Sequence, residues 1–211
     1  MALVKYNNNS ISAVTSAASI PSGSLVPIKT LTVSNASTTS FVDGASSVVL
    51  DDTYPIYKIE LINIHNDTSD RYLQFNLSSD TGSNYNVTKT TTAFNAAHKE
   101  DGSYSVLQYE ASLDLAQGTG VQKLDPAGDT GANNDQSGAG ELTLFNPSST
   151  TFVKHFMTTI SATGYDGSNE YNYVTRIGGY ANTTSAVDAI QFSINSGTHD
   201  GTFKLYGIKD S

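Results

Sequence analysis

Any chemistry in this chain has to come from four histidines, a scatter of carboxylates and a group of tyrosines, because it contains neither cysteine nor tryptophan. The histidines are His65, His98, His155 and His199. Zinc sites use His or Cys at short spacings, and these four lie far apart, so each reads as a polar strand-end or loop residue. His155, between Lys154 and Phe156, reads as a half-buried core or interface histidine. Serine is abundant, but the G-x-S-x-G turn that exposes a nucleophile is absent. Glu60, Glu110, Glu141 and Glu170 are the carboxylates that glycoside hydrolysis would have to pair across a cleft. They fall in different elements and read as isolated surface groups. Asp125, Asp129, Asn133, Asn134, Asp135 and Glu141 supply the oxygen ligands that Ca²⁺ takes, without EF-hand spacing, and read as a solvated loop. No catalytic residue, metal ligand or cofactor is expected. Tyr165, Tyr171, Tyr173 and Tyr180 lie near turns, where exposed rings would stack on the faces of a glycan. The competing reading packs these rings in the core or at its rim, with the hydroxyls reaching water.

The elements that would carry these residues are short strands. Residues 1–27 are small and polar, with Val4, Tyr6, Ile11, Val14 and Ile20 spaced among Ser, Ala and Asn and with Pro21, Gly23 and Pro27 as punctuation. They read as an extended attachment arm held by a neighbour or by the domain's own sheet, with a short helix at 12–19 as the alternative. From residue 28 the apolar period is two, which predicts strands at 28–33, 47–50 and 56–64. In the last of these, Tyr57, Ile59 and Leu61 share one face, with Lys58 and Glu60 on the other. Residues 71–77 alternate likewise and read as the second arm of a hairpin with 56–64. The Thr-rich stretch 87–97 is ambiguous, 103–109 reads as strand, and 117–140 as a long loop. Strands at 141–145, 151–160, 170–177, 189–194 and 202–208 complete the pattern, separated by turn signals such as Asp166-Gly167 and Asn195-Ser196-Gly197. The expected architecture is all-β: one antiparallel β-sandwich over 28–211, of jelly-roll type, preceded by the arm 1–27.

Composition narrows the partners. The chain has 211 residues, enough for one sizeable core. Its net charge of −9 and eleven scattered Lys and Arg residues lack the basic stripe that phosphate backbones require, so nucleic acid is not expected. No apolar run reaches the roughly 20 residues of a membrane helix, so no membrane insertion is expected. Residues 1–10 lack the basic and apolar regions of an export signal, which implies synthesis and folding in the cytoplasm of the producing cell. Charged residues make up only 15% of the chain, so hydroxyl and amide groups dominate the surface, which suits packing against copies or partners.

Five blocks carry a resemblance to a known group. They are Val4-Lys5-Tyr6-Asn7-Asn8-Asn9-Ser10 through Ser22-Gly23; 57–65, ending Ile62-Asn63-Ile64-His65; 144–156, from Leu144-Phe145-Asn146-Pro147 to Lys154-His155-Phe156; Gly179-Tyr180 with Asn182-Thr183-Thr184-Ser185-Ala186; and Gly201-Thr202-Phe203-Lys204-Leu205-Tyr206-Gly207-Ile208-Lys209. Together they resemble a group of virion-associated proteins common in marine and cyanobacterial tailed phages. The resemblance implies a structural component on the virion surface with capsid or tail proteins as partners. It brings no catalytic residues. A head decoration or cement protein, or a capsid-fibre subunit, gripping the shell through its arm is the first expectation. A tail-fibre module binding host-surface glycan is the second. A homo-oligomer is expected, a trimer by analogy with other phage surface proteins.

Overall fold

A computed structural model describes residues 25–125, 132–165 and 167–209. Among these residues twelve strands form two antiparallel sheets, and the only helical element is one 3₁₀ turn at Ala111–Leu113. The strands are β1 Leu25–Ala36, β2 Thr38–Val42, β3 Ile56–Asn66, β4 Leu73–Ser78, β5 Lys89–Lys99, β6 Ser105–Tyr109, β7 Gln122–Lys123, β8 Gly138–Phe145, β9 Lys154–Tyr165, β10 Glu170–Ala181, β11 Ala189–Ile194 and β12 His199–Ile208. The large sheet runs β1-β12-β3-β8-β9-β10-β5-β6 and the small one β2-β11-β4-β7. The protein is an all-β sandwich, as its alternation predicts. The arm residues Val4, Tyr6, Ile11, Val14 and Ile20 lie outside the described residues.

The two sheets face each other through the inward side of every alternating strand. Tyr57, Ile59 and Leu61 on β3, Leu142 and Leu144 on β8, and Phe203 and Leu205 on β12 meet Phe75 and Leu77 on β4 and Ile190, Phe192 and Ile194 on β11. Phe192 and Phe203 face each other from opposite sheets at 5.2 Å between ring centroids. Edge-on contact of Phe75 with Phe156 extends this apolar layer towards β9.

The chain changes sheet at a corner where three neighbouring strands bulge together. Pairing slips between Val33 and Ala36 on β1, between Asp200 and Thr202 on β12, and between Leu61 and Ile64 on β3. Asn35, Asn63 and Gly201 adopt positive φ there, a conformation open to Gly and tolerated by Asn. A single residue, Ser37, then separates β1 from β2 in the other sheet. Asp200 secures the corner by accepting the Asn35 backbone N–H at 2.8 Å, and the buried His199 ring bonds Thr39 Oγ1 at 2.9 Å.

Several expectations are corrected. β4 does not pair with β3 as a hairpin but lies in the opposite sheet between β11 and β7. Alternation specifies which face of a strand is buried and leaves its partner open. Residues 47–50 form no strand; Val48 and Leu50 are buried from an irregular loop whose Leu50 N–H donates to Asp43 Oδ1. From Lys89 onward the ambiguous stretch 87–97 belongs to β5, and the segment 117–140 read as a long loop contains β7 and the start of β8. β1 already includes Leu25, Val26 and Pro27, inside the segment read as arm. Pro27 fits because β1 is an edge strand, where a missing N–H breaks no ladder bond.

Candidate functional site

The outer face of the large sheet places one row of side chains across all eight strands. Strand register lines up Tyr109, Phe94, Arg176, Thr159, Glu141, Glu60, Lys204 and Thr30, from β6 to β1. The middle of this row is a groove of about 440 Å³ walled by Glu60, Glu141, Thr159, Ser161 and Arg176. Glu60 and Glu141, which sequence spacing kept apart, are direct cross-strand partners here. Lys58 on β3 neutralises the pair, its Nζ lying 2.7 Å from Glu141 and 3.9 Å from Glu60. Its hydrogen bond to Glu141 raises the Lys58 pKa, with burial opposing. Burial first and the Glu60 charge second raise the Tyr206 phenol. Arg176 Nε donates to Thr159 Oγ1 at 3.3 Å. The groove therefore offers carboxylate acceptors, hydroxyls and a guanidinium on a rigid floor.

One end of the row is apolar. Phe94, Leu107 and Tyr109 are 47%, 75% and 62% exposed, high values for large apolar rings and chains. Phe94 pairs with Tyr109, and Ala96 with Leu107, so the exposed groups form one stripe along the last two strands. Among the described residues the stripe borders an open edge. Lys99 N–H donates to Tyr104 O and Glu110 N–H to Ala93 O, so the even-numbered backbone groups of β6 address β5. The N–H and C=O groups of Ser105, Leu107 and Tyr109 consequently point off the sheet. The opposite edge is blunted: β1 carries Pro27, Lys29 and two register shifts. β6 has no charge, no proline and no bulge.

The four tyrosines do not make one patch. Tyr173 is fully buried in the core, which removes it from any exposed glycan platform. Odd positions of β10 face inwards, and Tyr171, 5.8 Å from Tyr173 between centroids, packs against the core as well. Tyr180, on the outer face, leans on His155 at 5.9 Å, and Tyr165 is 42% exposed at the far end of β9. His155 itself is exposed rather than half-buried. His65 on β3 and His199 on the paired β12 are one register position apart and both act on the Asp200 carboxylate, whereas His98 on β5 and His155 on β9 stand apart from them. Glu110 is bonded by Gln108 and Ser112, and Glu170 by Gln136, both away from the groove. Asp125 is buried and accepts the Leu73 N–H, whereas Asp129 lies outside the described residues. Among the described residues no cluster of three or more His, Asp or Glu has the geometry to hold a metal.

Sequence reasoning missed Phe94 and Leu107. Their signal was the alternation Phe94-Asn95-Ala96 beside the strand 103–109, hidden because the inward positions of β5 are Lys89, Thr91, Ala93, Asn95 and Ala97, none of them large and apolar. Comparison with known proteins found no matching family model, no similar curated protein and no similar solved structure.

Proposed function

We propose that this chain is a structural protein of the exterior of a tailed-phage particle, a head decoration or capsid-fibre subunit that attaches through its N-terminal segment and packs against copies of itself. The open, uncharged β6 edge with its apolar stripe carries this reading. Natural sheets blunt exposed edges unless an edge has a partner, and here one edge is blunted and the other is not. The strand orders 1-12-3-8 and 2-11-4-7 support reading the core as a jelly roll, with β5, β6, β9 and β10 added to one sheet. The sequence blocks resembling virion-associated proteins point the same way.

Two β6 strands approaching antiparallel about Leu107 would pair Ser105 with Tyr109 and Leu107 with its own copy. The outward backbone groups would then bond reciprocally, and no like charges would meet because β6 carries none. Such a contact is two-fold, so a trimer would need β6 to meet a different surface. Localisation on purified particles by cryo-electron microscopy tests the proposal. Density distributed over the capsid lattice is expected, and a chain lacking residues 1–24 should fold yet fail to attach. Absence from the particle, or unchanged attachment of the truncated chain, overturns it.

A second reading, a host-glycan binding module on the tail, is favoured by the groove at Glu60, Glu141 and Arg176, whose acceptors and donors suit a polyhydroxylated ligand. Glycan-array binding lost in Glu141→Gln and Arg176→Ala, together with tail density, would favour it. Binding that survives both substitutions would remove the groove from the account.

A further inference from the structure

We propose that Lys89 and Asn76 become joined by an intramolecular amide bond that the protein forms itself, tying the small sheet to the large one. Lys89 opens β5 and is 0% exposed, while Asn76 sits on β4 and is 6% exposed. Lys89 Nζ lies 2.5 Å from Asn76 Oδ1, short for an amine against a carboxamide oxygen. The second Nζ contact is to Val87 O at 2.8 Å, which holds the amine in place.

The surroundings favour attack by the amine. Burial pushes the Lys89 pKa down to about 8, and no neighbouring charge contributes to that shift. A fully enclosed ammonium without a carboxylate is costly, so the neutral amine with its free lone pair is populated under mildly alkaline conditions. The carboxamide is held on three sides. Its Nδ2 donates to Tyr85 O at 2.5 Å and to Thr119 O at 3.1 Å, and its Oδ1 accepts the Leu77 backbone N–H at 2.9 Å. That N–H is positioned to stabilise negative charge as it develops on Oδ1.

The step balances without a co-reactant. The Nζ lone pair attacks Asn76 Cγ, and the carbonyl electrons move onto Oδ1 beside Leu77 N–H. A proton passes from Nζ to Nδ2, the Cγ–Nδ2 bond breaks and ammonia leaves. The product is a neutral secondary amide in place of a buried titratable amine, which removes the cost of enclosing the charge. Lys154 provides an internal control. It lies on the same inner row, across Ala181 from Lys89, and is equally buried. Its Nζ donates to the backbone of Thr183 at 3.0 Å, so it stays a free amine.

Intact mass of the full-length chain after incubation at pH 8 is the test. The wild-type chain is expected about 17 Da below its sequence mass, the loss of one ammonia. Proteolysis should then release one branched peptide containing both Asn76 and Lys89. Lys89→Met and Asn76→Ala should each keep the full sequence mass, a readout that needs no folded variant. A wild-type chain that keeps its full mass after prolonged incubation overturns the proposal. So does an equal loss that maps to a linear peptide, the signature of a succinimide.

Discussion

The large sheet has two halves whose inward faces are built on different principles. Under β12, β3 and β8 the middle of the inner face is Phe203, Leu205, Tyr57, Ile59, Leu61, Leu142 and Leu144, apolar and covered by the small sheet, with the buried polar Asn66 and His199 only at the corner end. Under β9, β10 and β5 the buried positions include Lys154, Thr158, Thr175, Lys89, Thr91 and Asn95. The cover accounts for the difference. Sheet against sheet leaves no unpaired backbone, whereas beyond the contact of Phe75 with Phe156 the polar positions of the second half meet loops and one 3₁₀ turn whose backbone groups need partners. Thr91 Oγ1 accepts Leu115 N–H, Gln122 Nε2 donates to Leu113 O, and the two lysines reach Val87 O and Thr183 O. Thr91, Lys89 and Lys154 thus serve the backbone of the lid, whereas the hydroxyls of Thr158 and Thr175 are buried without a partner among the described residues.

The comparison breaks first at the apolar half. Phe203→Ala should cost about 3–5 kcal/mol in urea unfolding, as a large ring lost from a close-packed layer does. A loss below about 1 kcal/mol would mean that layer is loosely packed.

Acid tests the corner that joins the halves to the small sheet. Burial lowers the pKa of His199 below 6.5, with Asp200 opposing. The unfolded chain therefore binds a proton that the folded one resists, and stability falls as pH drops below 6.5. His199→Gln should flatten that part of the curve, above the region where the carboxylates titrate. An unchanged slope would assign the loss to other groups.

Thr175→Val sharpens the contrast from the polar side. The Thr175 hydroxyl is buried and has no hydrogen-bond partner among the described residues. Replacing it with a methyl should be neutral or stabilise by about 1 kcal/mol. A clear destabilisation would show that this hydroxyl, too, serves the lid. Least disturbing to the fold is Leu107→Lys at the open edge, expected within about 0.5 kcal/mol of wild type. Sedimentation should nevertheless show self-association lost.

The same contrast explains how far the fold could be read in advance. β3, β11 and β12 were legible because an apolar cover demands alternating apolar residues. β5 was not, because its inward positions carry Lys89, Thr91 and Asn95 with only the small Ala93 and Ala97 between and after them, while its one large apolar side chain, Phe94, faces outwards. β2, with Phe41 as its one large inward ring, gave too short a signal. Val48 and Leu50 misled because burial from a loop leaves the same apolar residues as burial from a strand. At the groove, both glutamates were noticed, but only register puts Glu60 opposite Glu141. The parity that buries Tyr173 was present in the alternation of β10 and was obscured by proximity to the turn.

The corner at Ser37 also governs when the protein can fold. Among the described residues β1 pairs only with β12, and β2 only with β11, so these two strands wait for the last two. Closure across so much chain carries a high entropic cost and places this topology among slow folders. On the ribosome, β1 and β2 emerge early with their partners not yet made. Synthesis sets the earliest moment of closure, and until then a partly made chain is open to pairing with its neighbours on the same message.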